Sequence, residues 1–351
     1  MTKLKIERAA APGWVKPLIP IIAIPVTFLI TSLVILLAGA NPLQAFYQFL
    51  VVPLSTKSSA IEVLVKSTPL LLTGAAAAFA FAGGYWNIGG EGQLYAGAIM
   101  AAWVGMVFKG VSPWIGIPAM IVGGMLGGLI WAFPSAILKV KLGVDEIVTT
   151  LLMNSIVTSV VSYLLNGPWR DPETMWPQSP DIDPGTVFFK LIPRTRLHFG
   201  FIVAVVVLII IWIVINRTGF GLKMRAIGLS KEGARFAGIK VDKTMLIVAL
   251  VSGAIAGLAG AGEVAGIQFH LIDSLSDSLG YSGVIVATLG GLNSIGVGLA
   301  AIFLGMIDTG AQTLSRTMGV PVYLGDVVQS TLLLVTLSLF LLQNFRLRRV
   351  K

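Results

Sequence analysis

Long apolar runs follow one another along this chain, separated by short polar or glycine-rich stretches. A helix needs roughly 20 mainly apolar residues to cross the hydrocarbon core, because it rises only about 1.5 Å per residue. The pattern therefore predicts an all-α polytopic membrane protein with about ten transmembrane helices. The predicted spans lie near residues 17 to 39, 60 to 82, 90 to 108, 114 to 138, 146 to 165, 199 to 215, 244 to 264, 280 to 291, 295 to 314 and 326 to 342.

Three of these stretches need a separate interpretation. The run from 280 to 291 is too short to span alone, which predicts a broken or re-entrant segment. Residues 41 to 54, which contain Pro42 and Pro53, are predicted to lie along the interface or to dip into the membrane. The first run is long enough to span and lacks a convincing small-residue cleavage site, so we expect a retained helix rather than a signal peptide.

Composition excludes several classes of protein. Hydrophobic residues make up 56% of the 351 positions and charged residues only 12%, whereas soluble proteins carry about a quarter charged residues. The absence of cysteine excludes a disulfide scaffold, a thiolate metal site and a cysteine nucleophile. With two histidines and no clustered His, Asp or Ser, we expect no catalytic residues, no cofactor site and no metal site.

The basic residues predict an orientation. With a cytoplasmic N-terminus and ten crossings, 17 of the 25 lysines and arginines face the cytoplasm, as the positive-inside rule requires. Both termini are then cytoplasmic, and the net charge of +9 reflects orientation and a docking surface rather than nucleic-acid affinity. The predicted organisation is an N-terminal segment 1–16, a permease domain 17–342 with an external loop 166–198 and a cytoplasmic loop 217–243, and a basic tail 343–351.

Two groups of residues predict how the bundle is built. The external loop contains six prolines together with Trp169 and Trp176, so it is irregular, and it either docks an external partner or caps the bundle. Glycines four residues apart share one helix face and let backbones approach closely, which favours static packing of the helices that carry them. These pairs are Gly123 with Gly127, Gly124 with Gly128, Gly253 with Gly257, and Gly262 with Gly266.

Ionisable residues inside the spans are costly and therefore informative. Glu62 and Lys66 stand four apart, which predicts a structural ion pair on one helix face. Glu91, Glu263 and Asp308 have no obvious cation nearby in the sequence, so each is expected to face the bundle interior, a water-filled path or a helix end. A proton-coupled carrier would use such carboxylates, and this class remains an alternative.

Two polar segments stand out among the apolar runs. Residues 83 to 93, GGYWNIGGEGQ, form a bent helix junction at membrane depth, where glycines permit a tight turn. In the cytoplasmic loop, Ser230 is a plausible N-cap for a short helix from Lys231 to about Ala237, and Gly238 is a natural stop. This slim helix suits insertion into a partner's groove, although a solvated basic loop is an equally good interpretation of the residues alone.

Both segments resemble the membrane subunits of bacterial ABC importers of the branched-chain amino acid and simple-sugar permease superfamily. Residues 87 to 93 are similar to the N-I-G-x-E-G-Q phrase of nucleoside importer permeases, and residues 143 to 150 resemble a G-V-x-E-x-x-x-T stretch of relatives. Residues 219 to 239 resemble the ATPase-coupling segment of the family, with Gly233-Ala234 where two alanines are usual, and residues 280 to 287 match the region before the last spans. The coupling helix implied by this resemblance comprises Ser230, Lys231, Glu232, Gly233, Ala234, Arg235, Gly238 and Ile239.

The resemblance implies a transport subunit of the bacterial cytoplasmic (inner) membrane that is not itself an enzyme. No G-x-x-x-x-G-K-[S/T] phosphate loop occurs in the sequence, so ATP and Mg are expected on separate cytoplasmic ABC ATPase subunits. A second permease subunit, in a heterodimer, and an extracytoplasmic substrate-binding protein are the other expected partners.

The implied cargo is a nucleoside, moved by alternating access. A permease for ribose or another simple sugar is the nearest alternative, and an ion-coupled secondary transporter is a more distant one. A neutral ribose with an attached base calls for amides, hydroxyls and aromatic faces. We propose six residues for the substrate path, namely side chains of these types and the Glu91 carboxylate of the helix junction. They are Asn87, Glu91, Gln93, Phe81, Trp103 and Asn154.

Overall fold

Helices form almost all of the fold, because in lipid the backbone hydrogen bonds must be made within the chain itself. The computed structural model describes residues 3–8, 18–343 and 345–350. Its helices are α1 (Leu18–Leu37), α2 (Pro42–Leu50), α3 (Val52–Ser55), α4 (Lys57–Ala82), α5 (Gly90–Val107), α6 (Pro113–Ile137), α7 (Glu146–Asn166), α8 (Gly200–Arg217), α9 (Gly219–Leu229), α10 (Lys231–Phe236), α11 (Val241–Glu263), α12 (Leu279–Leu289), α13 (Ser294–Met318) and α14 (Leu324–Gln343).

Seven helices of the described residues are long and apolar enough to cross a membrane: α4, α6, α7, α8, α11, α13 and α14, with α6 and α11 each extended by one π-helical turn. The prediction of an all-α polytopic membrane protein is therefore confirmed. Helix α5 has 18 residues but a polar first turn, and the apolar part of α1 is described from Ile21 to Leu37. The number of ten crossings stays a prediction, and the expected start of the first span at residue 17 lies outside the described residues.

Helix α12 is the predicted broken segment. It has only 11 residues, and it begins beside the middle of α4, where the Thr73 hydroxyl donates a hydrogen bond to the Leu279 carbonyl at 3.1 Å. The stretch with Pro42 and Pro53 likewise forms the two short helices α2 and α3 rather than a span. Both departures from the regular apolar pattern thus correspond to short helices.

The two ends of the chain meet in a short antiparallel ribbon. Strand β1 (Lys3–Arg8) pairs with β2 (Phe345–Val350), in the register Lys3 opposite Val350. This pairing places both termini at one end of the bundle. The other end, where α4 begins and α11 ends, is the one predicted to be external and is called the external end here. Residues 1–2 and 9–16 of the predicted N-terminal segment lie outside the described residues.

Glycine contacts hold the centre of the bundle together. A Cβ atom at Gly124 or Gly128 of α6 would collide with α11 at Gly257 and Gly253. Two of the predicted packing faces are therefore confirmed, with α6 lying directly against α11. The pair Gly262 and Gly266, at the end of α11 and in the π-helical turn that follows, does not contact another helix in this way. A Cβ atom at Gly262 would meet open space, and Gly266 lies against the ring of His198.

Candidate functional site

The junction between α4 and α5 turns back into the bundle and buries its polar side chains. Gly84, with φ at +71°, allows the turn at the end of α4. The Asn87 amide nitrogen donates to Gln93 Oε1 at 2.8 Å and to Ser252 Oγ at 2.9 Å, while Gln93 Nε2 donates back to Asn87 Oδ1 at 3.0 Å. Ser252 in turn donates to the Ala76 carbonyl of α4 at 2.8 Å. We call Asn87, Gln93 and Ser252 the polar cluster.

Asn154 of α7 holds this junction from the other side. Its side-chain oxygen accepts from the Gly92 N–H at 2.8 Å, and its nitrogen donates to the Ile88 carbonyl and to the Tyr281 hydroxyl, both at 3.1 Å. Three of the four hydrogen bonds that a side-chain amide can form are thus made within the protein. Asn154 therefore connects α7 to both α5 and α12.

Glu91 lies in the first turn of α5 and also reaches the start of α12. Its Oε2 accepts a hydrogen bond from the Gly280 N–H at 2.8 Å, and the side chain is buried. Two helix N-termini therefore face one carboxylate, which is the favourable arrangement for the helix dipole. The expectation that Glu91 meets a helix end is confirmed.

The two aromatic residues predicted for the path lie apart from each other. Phe81 is buried and its ring lies 4.7 Å from that of Trp86, next to the polar cluster. Trp103 is 46% exposed on the outer half of α5. The structure thus brings together Asn87, Glu91, Gln93 and Asn154, with Phe81 beside them, and it leaves Trp103 on the surface.

A cavity of about 230 Å³ opens at the external end and contains none of those six side chains. Glu263 of α11 and Asp308 of α13 line it, as does Lys66 of α4. The expectation that the two carboxylates face the interior or a path is therefore confirmed. Sequence reasoning missed the remaining polar residues of the wall, which are Arg196, Gln268, Ser274, Ser276, Asp277, Ser282, Gln312, Tyr323, Asp326 and Gln329.

The predicted ion pair between Glu62 and Lys66 is wrong. Glu62 instead pairs with Arg196 of the external loop, 134 residues away. The pair forms at the protein surface, where the long arginine reaches from the loop to the start of α4, and Lys66 points into the cavity wall. Arg196 also lines the cavity, so this ion pair lies at its edge.

The external loop is fastened to the segment that follows α11. The amides of Ser179, Ile182 and Phe188 donate to the carbonyls of residues 271, 269 and 265. Hydrogen bonds from the Gly110 and Gly185 amides, each 2.8 Å, hold the pKa of the Asp183 carboxyl below its usual range. These contacts fit the expectation of a loop that caps the bundle, whereas docking of a partner there stays a prediction.

At the opposite end, α9 and α10 project as a helical pair from the last turn of α8. The Ser230 hydroxyl accepts from the Gly233 N–H at 3.0 Å, and Gly238 follows the helix with φ at +78°. The predicted short helix with its N-cap and its glycine stop is thus present from Lys231 to Phe236. Arg235 pairs with Asp242 of α11 at 3.2 Å, while Ala234 is buried.

Two apolar side chains on this pair are almost fully exposed to solvent. Phe236 is 97% exposed and Leu229 is 89% exposed. Sequence reasoning did not single out either residue, although a phenylalanine in an otherwise small and basic segment is a signal in itself. Exposed aromatic side chains outside the apolar band are typical of contact sites for another protein.

The whole region that holds these features matches one protein family. The family model described as "Branched-chain amino acid transport system / permease component" covers residues 59–337. The chain belongs to this permease family. It is 34% identical to the guanosine ABC transporter permease protein NupP of Bacillus subtilis. The similarity extends over 286 residues, which are 79% of this chain and 80% of the relative.

Two further relatives cover nearly all of the permease. The glucose ABC transporter permease protein TsgB13 of Haloferax volcanii is 29% identical, over 97% of this chain and 92% of the relative. The nucleoside ABC transporter permease protein NupB of Lactococcus lactis is also 29% identical, over 93% and 92%. Together with the apolar helices, these similarities establish a multi-pass membrane protein of the ABC permease type.

Proposed function

We propose that this permease is the membrane-spanning subunit of an ABC importer that carries nucleosides across the bacterial cytoplasmic membrane. NupP and NupB, whose names specify guanosine and nucleosides, support this cargo. ATP and Mg would be held by separate ATPase subunits, in keeping with a sequence that lacks a phosphate-loop motif. ATP-driven closure of those subunits would switch the bundle from outward to inward access.

The observation that carries this proposal is the geometry of α10. A short helix, capped by Ser230 and ended by Gly238, projects past the apolar bundle and presents Phe236 almost fully to solvent. A hydrophobic side chain on a rigid projection is suited to a pocket on a partner. The Arg235–Asp242 ion pair connects α10 to α11. A displacement of α10 would therefore be transmitted to a helix of the bundle core.

The residues of the α9–α10 pair have different roles in this proposal. Ser230, Gly233 and Gly238 shape the helix, and Arg235 connects it to α11. Phe236 and Leu229, which the sequence analysis omitted, supply the contact surface. Lys231 and Glu232 start the helix and face the expected partner as polar residues.

A second permease subunit is part of the proposed assembly. Bacillus subtilis and Lactococcus lactis each have two permease proteins similar to this chain, NupP with NupQ and NupB with NupC. Two related permeases named for one cargo in one organism support a heterodimer. An extracytoplasmic binding protein would deliver the nucleoside to the external end.

The residues predicted to line the substrate path would instead close its cytoplasmic half in this state. Asn87 and Gln93 bond to each other, Asn154 binds the Gly92 N–H and Glu91 binds the Gly280 N–H, so these side chains tie the junction to its neighbouring helices. Phe81 packs against Trp86 beside them. With a cavity on the external side of this region, the arrangement corresponds to an outward-facing state whose cytoplasmic half is shut. Inward access would require these bonds to exchange partners.

A simple-sugar permease is the second candidate function. The similarity to the glucose permease TsgB13, which extends over 97% of this chain, favours it. Uptake of radiolabelled guanosine and glucose into proteoliposomes that contain the assembled importer separates the two. ATP-dependent uptake of guanosine is expected, and uptake of glucose alone would replace the nucleoside assignment with the sugar one.

Docking of the ATPase is tested by the substitution Phe236→Ala. We expect at least a tenfold loss of substrate-stimulated ATP hydrolysis and weaker co-purification of the ATPase, because a buried aromatic contact often contributes about 2 kcal/mol or more to binding. Tyr163→Ala, which removes an exposed aromatic ring from α7, is the matched control. Unchanged hydrolysis and assembly in Phe236→Ala would contradict the docking role of α10.

A further inference from the structure

The external cavity is built from groups that are unusual at membrane depth. Carboxylates, amides and a lysine project into it from four helices, α4, α11, α13 and α14. Polar groups inside a membrane bundle are costly unless they are paired or face water. Such a wall is therefore maintained either by bound water or by a ligand that offers hydrogen bonds.

Glu263 and Lys66 face the cavity without satisfying each other. Within the described residues, neither side chain forms an ion pair or a hydrogen bond, although the ammonium group is close enough to interact electrostatically with the carboxylate. By contrast, the same chain pairs Glu146 with Lys139 and Glu62 with Arg196 directly. Opposite charges that line one cavity without pairing directly leave hydrogen-bonding groups that a small molecule can satisfy.

Asp308, also in the cavity wall, is positioned by a short chain of hydrogen bonds. The Ser282 hydroxyl donates to Gln329 Oε1 at 3.2 Å, and Gln329 Nε2 donates to Asp308 Oδ1. Among the described residues, no hydrogen bond reaches the other oxygen of Asp308. A carboxylate with one oxygen fixed and one free is a preorganised acceptor for a hydroxyl group.

The balance of charges selects the class of ligand. Carboxyl groups outnumber cations in the wall, with Glu263, Asp277, Asp308 and Asp326 against Lys66 and Arg196, which disfavours an anionic ligand. No group of three or more His, Cys, Asp or Glu in the described part of the chain is arranged to hold a metal ion. A neutral molecule with several hydroxyl donors suits carboxylate acceptors best, and the exposed ring of Tyr323 at the mouth offers a face for a planar base.

We propose that this cavity receives the ribose moiety of the cargo from outside, with Glu263 and Asp308 accepting hydrogen bonds from the sugar hydroxyls and Lys66 donating one. The inference rests on the proposed function and adds a binding site to it. Ser276 belongs both to the cavity wall and to the surroundings of Glu91. The site thus ends where the α12 N-terminus and the closed half of the path begin.

Thiol labelling of this chain tests the site, because the chain contains no cysteine and an introduced one is its only thiol. In the assembled importer, Ser274→Cys places a thiol in the exposed part of the cavity wall, and Ser58→Cys places one at the external end outside it. Saturating guanosine is expected to slow labelling of Ser274→Cys by an impermeant maleimide at least threefold and to leave Ser58→Cys unchanged. Equal rates with and without guanosine, in an importer that transports guanosine, would overturn the proposal.

Substitution of the carboxylates provides the second measurement. Glu263→Gln and Asp308→Asn are expected to lower guanosine uptake at least tenfold and to abolish the protection of Ser274→Cys, while co-purification of the ATPase stays normal. Glu173→Gln, in an exposed carboxylate outside the cavity, is the control and should transport normally. Full uptake by both carboxylate variants would contradict the proposed binding site but not the proposed function. A wild-type importer that never moves guanosine would contradict the proposed function itself.

Discussion

The polar cluster and the external cavity place similar side chains at membrane depth with opposite results. In the cluster, the amides of Asn87 and Gln93 bond to each other, Asn87 also bonds to Ser252, and all three side chains are buried. In the cavity, Glu263 and Lys66 face a void. A polar residue in a transmembrane helix therefore indicates either helix packing or a binding site, and only the partner groups distinguish the two.

The two regions also differ in what holds them. The cluster is surrounded by close helix contacts, in which glycines of α6 and α11 let the backbones touch. The cavity lies where α11 ends and where α12 and α14 begin, beside the α13–α14 turn. Helix ends supply unpaired polar groups and room for side chains, so the void forms there and not in the packed centre.

The largest effect on stability is expected in the cluster. Asn87→Ala leaves the buried Gln93 amide without its partner and removes a bond from Ser252, and each unsatisfied buried group costs about 1–3 kcal/mol. We expect the unfolding midpoint in detergent to fall, corresponding to a loss of about 3 kcal/mol. Asn166→Ala is the control, because the Asn166 side chain is exposed and bonds only within its own helix. An equal, small loss in both variants would show that the cluster is not a packing element.

Much of the fold follows from local patterns that can be seen in the sequence. The apolar run near 60 to 82 became α4, the short run near 280 to 291 became the half-length α12, and Ser230 with Gly238 delimited α10. These features depend on periodicity, length and capping within a few residues. They are predictable because no distant partner is needed to form them.

The candidate site was predictable only in its residue types. Glu62 has a lysine four residues away, yet it pairs with Arg196 of a distant loop, since a surface arginine can reach it and Lys66 is directed inward. Asn87 has the chemistry expected of a substrate contact, yet Ser252 and Gln93 use its hydrogen bonds. Which polar groups face a void depends on how separate helices meet, and one sequence does not contain that information in any local pattern.

Glu91 lies between the two regions and is expected to give an intermediate effect. Glu91→Gln keeps an oxygen for the Gly280 N–H but removes the negative charge from two helix N-termini, a change of about 1 kcal/mol. Glu91→Ala should cost more, because it leaves that N–H unpaired. Glu173→Gln, in an exposed carboxylate of the external loop that lies outside any helix, is the control and should change the unfolding free energy by less than about 0.5 kcal/mol. A more stable Glu91→Gln variant would mean that desolvation of the charge outweighs the helix dipoles.

The smallest effect on stability is expected at the edge of the cavity. Glu62 and Arg196 form an ion pair in which the arginine side chain is 54% exposed, and exposed pairs contribute about 0–1 kcal/mol. A double-mutant cycle of Glu62→Gln and Arg196→Gln should therefore give a coupling energy below about 1 kcal/mol. Uptake should separate the two variants, because Arg196 lines the cavity and Glu62 does not. Reduced guanosine uptake is expected in Arg196→Gln alone, and the same reduction in both variants would mean that the ion pair, rather than the arginine in the cavity wall, matters for transport.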